Sequence, residues 1–340
     1  MGVPSQMFVE GIRSTETQNK QPRLSVIVPA YNVESHLDKC LRSICEQSFT
    51  DFEVILVNDG STDNTLAICE AWAERDKRIR FFSQENKGQA FIRNFGLREA
   101  RADLIMFVDS DDFLAEGAIQ KLMELKEKKK VQISMGRFCS VQEDGTSREH
   151  QHKQLGNCVM SGRQAYLKAL YDRELQSYCW AKIFDKELFD GLAYPDGEYM
   201  EDYRLNYLVY LRAHRIAHTD QIVYNYFINP MSTLNDVNRR ETANLKYLEV
   251  FYERYNHAKN TNLLSRREFI LFHIKSIRSL IREIWRKRLP NHRRQTPLEY
   301  EKTLETLSKI CGKTIREEDL RPLWRKTRRK KVFVTLFVWF

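Results

Sequence analysis

The sequence predicts an α/β fold, with an open, mostly parallel, Rossmann-like sheet over residues 23–235 and a helical, basic region over 236–326. Three observations predict it. Short β-rich runs alternate with amphipathic runs from Pro22 to about Asp112. Each of those β-rich runs closes on polar residues. Charge is divided along the chain: from Val237 onward 26 Lys and Arg face 11 Asp and Glu, a net +15, which leaves −6 for the preceding part of a chain that carries +9 in total.

Residues 1–22 lack an apolar core of signal-peptide length and read as a disordered tail. "LSVIVPA" (24–30), "FEVILVN" (52–58), "IRFFSQ" (79–84) and "DLIMFVD" (103–109) are strands. Helices over 33–47, 63–76 and 88–100 separate them. One helix between each two strands implies parallel pairing with right-handed crossovers, and such sheets bind ligands beyond the carboxyl ends of their strands. "AEGAIQKLMELKEKKK" is a further helix, "VQISMGRFCSVQ" (131–142) and the stretch around "GNCVM" are further strands, and 143–154 is a polar, mobile loop. "GEYMEDYRLNYLVYLRAHR" places Glu201 and Asp202 at the start of an aromatic-rich helix, where carboxylates are favoured in any case.

From Val237 the chain reads as helices to about Arg325, with Ile270, Ile274, Ile277, Ile281 and Ile284 along one face. The last segment, "RKTRRKKVFVTLFVWF", joins a basic block to an apolar end. It is too short to span a bilayer but suits an anchor on an anionic membrane surface.

A composition of 42% hydrophobic and 11% aromatic residues excludes a disordered chain. The seven Cys show no C-x-x-C pair and read as reduced thiols. No run of about 18 apolar residues occurs. These features predict a cytoplasmic protein, peripheral at the inner face of the membrane if its tail binds there.

Four polar strand ends meet on one rim: "PAYN" with Glu34, "NDGSTD", "ENKG" and "DSDD". Turn and cap chemistry explains each one singly. Together, Asp59, Asp109 and Asp111 with Lys87 nearby suit a sugar nucleotide, with a divalent cation between the carboxylates and the diphosphate. Neither G-x-G-x-x-G nor G-x-x-x-x-G-K-[ST] is present.

The ordered set "LSVIVPAYNVE", "VNDGSTDNT", "NKGQAFIRNFG" and "FVDSDD" resembles the family 2 glycosyltransferases with the GT-A fold, across residues 22 to 235. The resemblance implies an inverting enzyme that moves a sugar from a nucleotide-sugar, a UDP-sugar first of all. The acceptor would be a glycan or lipid-linked glycan of bacterial surface polysaccharide synthesis. It carries the D-x-D metal ligands to Asp109 and Asp111, for Mn2+ or Mg2+, and the base contact to Asp59. Pro29, Tyr31, Asn32 and Glu34 would line the nucleotide pocket, with Lys87, Gly88, Arg93 and Ser110 also on the donor. Asp202 would be the catalytic base, with Glu201 orienting it. "YCWAKIFDKELFDG" resembles the W-x-K stretch that borders the acceptor, through Trp180 and Lys182; a core Trp and a surface Lys are the other reading. "VYNYFINPMSTL" resembles the family's closing segment, with Phe227 or Ile228 where a basic residue is usual. A sugar nucleotidyltransferase would want a Gly-rich, basic signature near the first strand. A nucleic-acid-binding protein would leave the acidic rim unused, so no nucleic acid is expected.

Overall fold

The computed structural model describes residues 9–10, 21–149, 155–170, 175–197, 200–228, 237–261, 263–286 and 297–328. The chain divides into two compact units, Met1–Pro230 and Met231–Phe340.

In the first unit β2 (Leu24–Ala30), β3 (Phe52–Asp59), β4 (Ile79–Gln84) and β5 (Leu104–Phe107) pair in parallel, with Ile27 opposite both Ile55 and Phe107 and Leu56 opposite Phe81. Every residue of β2 and β3 is buried, which is why these strands read as continuous apolar runs and not as alternating ones. Helices α1 (Leu37–Cys45), α2 (Thr65–Arg75) and α3 (Gln89–Glu99) form the crossovers. Gly96 sets the seat of α3: a Cβ there would lie 2.5 Å from the Ile27 side chain, so the helix rests directly on β2. That seat carries Gln89 and Arg93, earlier in the same helix, to the rim.

Beyond β5 the sheet departs from the mostly parallel expectation. After β6 (Phe113–Leu114) and α4 (Ala118–Lys129) come β7 (Ile133–Val141), β8 (Ser147–Glu149), β9 (Cys158–Met160), α5 (Gly162–Leu170), β10 (Lys182–Asp185), α6 (Glu201–Arg212) and β11 (Ile216–Phe227). The strand order is β1-β4-β3-β2-β5-β10-β7-β11-β6, where β1 is Val9–Glu10. β10 runs antiparallel to both β5 and β7, and β6 antiparallel to β11, while β7 and β11 pair in parallel. The helix-per-strand rhythm that enforces parallel crossovers ends at β5, and the later strands pair across long stretches of chain that leave either direction open.

Two local expectations are corrected. The polar loop expected over 143–154 is partly a hairpin: β8 pairs with Cys139–Val141 around Gly145, whose φ is +80, with Gln142 N–H donating to Thr146 O. Residues 150–154 lie outside the described residues. The tail expected to be disordered contributes β1, with Val9 opposite Ser83 and Glu10 opposite Phe82. α5 was not expected.

The second unit contains α7 (Val237–Asn260), α8 (Arg266–Arg286), α9 (Pro297–Cys311) and α10 (Leu320–Arg328). Ile277, Ile281 and Ile284 of the isoleucine stripe are buried, together with Phe251, Tyr255, Phe272 and Leu307. Lys275 and Arg282 are exposed, as the periodicity predicts. Polar groups are buried here too: Asn244 donates to Glu299 at 2.6 Å, and the Tyr255 hydroxyl meets His273 Nδ1 at 2.5 Å. Burial, then Lys259, pushes His273 down to about 4. The basic and apolar tail lies outside the described residues from 329 on. Among the described residues no helix is long and apolar enough to cross a membrane. None of the seven cysteines is in a disulfide.

Candidate active site

The ends of β2 and β3 are fastened to one another. The Asn32 carboxamide oxygen accepts from Thr62 N–H at 2.8 Å, with Asn32 itself at φ 49. Glu34 accepts from Asn64 N–H at 2.8 Å, and its own N–H donates to Asp63 at 3.1 Å. Asn32 and Glu34 thus hold the rim in shape. Pro29 is buried in β2, opposite Val57, and Tyr31 is 48% exposed beside them.

Asp59 closes β3 and is buried. Its Oδ1 accepts from Gln84 Nε2 at 2.8 Å and from Lys87 N–H at 2.9 Å, and its Oδ2 accepts from Gly88 N–H at 2.8 Å. One carboxylate therefore shapes the whole turn from β4 into α3. Gly60 (φ +70) lets that turn come close: a Cβ there would stand 2.8 Å from Asn86 N. The Lys87 ammonium lies 4.8 Å from the Phe91 ring centre.

The acidic loop leaves β5 at Val108, whose N–H donates to Ile27 O at 3.0 Å, and turns through Asp112 N–H to Asp109 O at 3.1 Å. Asp109 Oδ1 accepts from Gln89 Nε2 and from Arg93 Nη2, each at 3.0 Å. Ser110 is buried. Burial, then the Asp109 charge, pushes Asp111 up to about 6. Burial and the same two acids push Asp112 well above the carboxylate range. Asp112 Oδ1 accepts from Phe227 N–H at 2.7 Å. Its buried Oδ2 finds no partner of hydrogen-bond geometry among the described residues, although the Tyr224 hydroxyl offsets part of the carboxyl's upward shift.

These residues fit a divalent cation. They are hard oxygen donors, and burial followed by the Asp109 charge disfavours ionisation of Asp111, a cost that a cation relieves. Among the described residues no group of three or more His, Cys, Asp or Glu is arranged to hold a metal ion by itself. Mg2+ and Mn2+ sites that use one or two carboxylates and complete their shell with substrate phosphates have this character.

Arg93 is 2% exposed and lies behind the rim. Its Nη2 meets Asp109, its Nη1 donates to Glu201 Oε1, and its guanidinium lies 5.6 Å from the Tyr194 ring centre. Glu201 and Asp202 begin α6 after Met200, whose φ is 66. Asp202 Oδ1 accepts from Tyr203 N–H at 2.6 Å. Burial, then the Glu201 charge, pushes Asp202 up to about 7, with Arg93 pulling the other way. The D-x-D loop and the E-D pair, far apart in the chain, thus share one buried cation.

Trp180 is stacked on Tyr178 (3.7 Å between ring centres, 7°) and on Tyr224 (4.6 Å, 11°), with Phe138 edge-on at 4.8 Å. Lys182 is no surface charge: it is 1% exposed, and its ammonium donates to the carbonyls of Tyr178 at 2.8 Å and Trp180 at 3.1 Å. It therefore braces the turn that presents Trp180. The sequence reading missed Gln89, Tyr178 and Tyr224. Gln89 alone carries a local signal, one helical turn before Arg93 on the same face.

A protein-family model described as Glycosyl transferase family 2 matches residues 25–191. The chain is 32% identical over 215 residues to GlyG, a glycosyltransferase of Streptococcus pneumoniae serotype 4, covering 60% of this chain and 70% of GlyG. It is 35% identical over 217 residues to the glycosyltransferase EpsJ of Bacillus subtilis (strain 168), covering 62% of each. It is 34% identical over 215 residues to the pneumococcal glycosyltransferase GlyA, covering 61% of this chain and 30% of GlyA. The chain therefore spans less than two thirds of EpsJ and GlyA. Among solved structures, S. aureus TarS 1-349 in complex with UDP-GlcNAc matches with a TM-score of 0.65 at 20% identity, covering 90% of each chain, which is a likeness of fold.

Proposed function

The chain belongs to glycosyl transferase family 2, and on that premise we propose that it moves a sugar from a UDP-sugar to a hydroxyl of a glycan or lipid-linked glycan in surface-polysaccharide synthesis. The observation that carries the reading is the convergence of Asp109, Arg93, Glu201 and Asp202 at the carboxyl rim of the sheet. Asp202 accepts the proton of the acceptor hydroxyl as its oxygen attacks the anomeric carbon. The bond from that carbon to the diphosphate breaks on the opposite face, so the configuration inverts and no covalent enzyme intermediate is needed. Tyr31, Asp59 and the loop that Asp59 shapes hold the nucleotide at attack distance. Trp180 forms the wall on the acceptor side. Asp109 and Asp111 hold Mn2+ or Mg2+, which when bound supplies Lewis-acid stabilisation of the leaving diphosphate. Arg93 orients the two acidic motifs toward one another instead of touching the donor.

UDP is expected to bind weakly in EDTA and more tightly with manganese. Asp111→Asn is expected to abolish most of that difference, since an amide is a poorer ligand for a hard cation. Calorimetry checks it, and equal UDP affinity with and without manganese in the parent chain would remove the metal from the reading.

The basic C-terminal region supports a cytoplasmic protein held at the inner face of the membrane by its last sixteen residues. Anionic vesicles are expected to sediment the full chain and not one ending at Arg325. Equal sedimentation of both places the contact elsewhere.

A further inference from the structure

We infer that Tyr224 is a positioning residue for the metal-binding loop: its buried hydroxyl fixes the main chain at Asp109, and with it the spacing of the Asp109 and Asp111 carboxylates. The inference rests on the metal reading proposed above.

The loop loses its regular partners where β5 ends. Val108 N–H still reaches the neighbouring strand at Ile27, and Asp112 N–H closes the turn onto Asp109 O. Asp109 N–H, between them, donates to the Tyr224 hydroxyl at 3.1 Å. Three more ties bind the same loop to the same strand. Asp112 Oδ1 accepts from Phe227 N–H, Ala115 N–H donates to Val223 O at 3.1 Å, and β6 places Leu114 and Phe113 opposite Tyr224 and Asn225. β11 therefore brackets the acidic loop, with Tyr224 holding its start and Phe227 its end.

The phenol is a fixed point because packing orients its ring, and the hydrogen bond does not have to. Tyr224 is fully buried and stacked on Trp180, which is itself backed by Tyr178 and by the turn that Lys182 braces. A Phe would fill the same space, so the hydroxyl is dispensable to the aromatic stack, and what it serves is the loop. Two like charges in one short turn push apart when no cation lies between them, and a main-chain restraint holds them at the separation a cation needs.

The test is Tyr224→Phe in the full chain, with UDP affinity measured by calorimetry in EDTA and across a manganese titration, and with melting curves alongside. UDP affinity in EDTA is expected to stay within about twofold of the parent. The manganese concentration that half-saturates the gain in UDP affinity is expected to rise about three- to tenfold, the worth of one hydrogen bond to a partly buried N–H, and excess manganese is expected to restore the parental affinity. Trp180→Phe, which keeps the hydroxyl but thins its backing, is expected to shift the midpoint in the same direction by less, and it remains informative if Tyr224→Phe does not fold. An unchanged midpoint in both variants overturns the inference. So does an equal loss of UDP affinity with and without manganese, which a merely structural role would produce. Absence of any manganese effect in the parent chain instead defeats the metal reading beneath it.

Discussion

Replacing Asp202 by Asn lowers kcat by about two to four orders of magnitude, the usual worth of a positioned general base, and leaves UDP affinity near that of the parent. The amide has the shape of the carboxylate but cannot take the acceptor's proton. Because Asp202 lies on α6 and the donor loops lie on β2, β3 and β5, nucleotide binding has no reason to follow turnover. The pH profile gives a second check. Asp202 is pushed up to about 7 by burial and then by the Glu201 charge, and the base works only when ionised, so kcat/KM rises with pH through about 7 and then levels. Glu201→Gln removes the like charge and moves that limb to lower pH. The stability sign runs the other way. A carboxyl whose folded-state pKa is raised above its unfolded value favours folding most at low pH, and that advantage is lost as pH rises from the ordinary carboxylate range through about 7. Asp202→Asn should therefore melt no lower than the parent at pH 8, which separates lost chemistry from lost fold. Near-parental turnover in Asp202→Asn with an inactive Glu201→Gln would move the base to Glu201. Activity in both would reduce the pair to favourable charges in the first turn of a helix.

Arg93→Met is expected to cost about 3–5 kcal/mol of folding stability, the range for removing one partner of a buried ion pair. Arg93 is 2% exposed between Asp109 and Glu201, so its loss leaves two half-buried carboxylates without the cation that pairs them. Lysine is a poor substitute, because a single ammonium cannot present a planar fork to two acids at once. Urea denaturation at pH 7 measures the loss, and a cost below about 1 kcal/mol would mean that the carboxylates are solvated or protonated and need no partner. Where the variant folds, the acid limb of its pH profile should move upward, since the Arg93 charge pulls Asp202 down.

Local patterns were enough to specify much of this protein. The strand at 24–30 follows from an almost continuous apolar run and the strand at 79–84 from its Ile and paired Phe ahead of turn residues, and the seat of the acidic loop follows from the helix–strand rhythm before it. The acids at 109, 111, 201 and 202 were legible because each pair is adjacent or nearly so in sequence, at a strand end or a helix start. The antiparallel half of the sheet was not legible, because strand direction is chosen by partners and not by composition. The roles of Arg93, Lys182 and Tyr224 were equally out of reach. Arg93 meets Glu201 across 108 residues, and Tyr224 meets Asp109 across 115, separations that no helical or strand period encodes. In sequence, Arg93 and Lys182 are ordinary cations and Tyr224 an ordinary aromatic. Only the packed structure buries all three, and burial leaves their polar groups needing partners; that need makes Arg93 a bridge, Lys182 a brace for the turn below Trp180, and Tyr224 the hold on the loop.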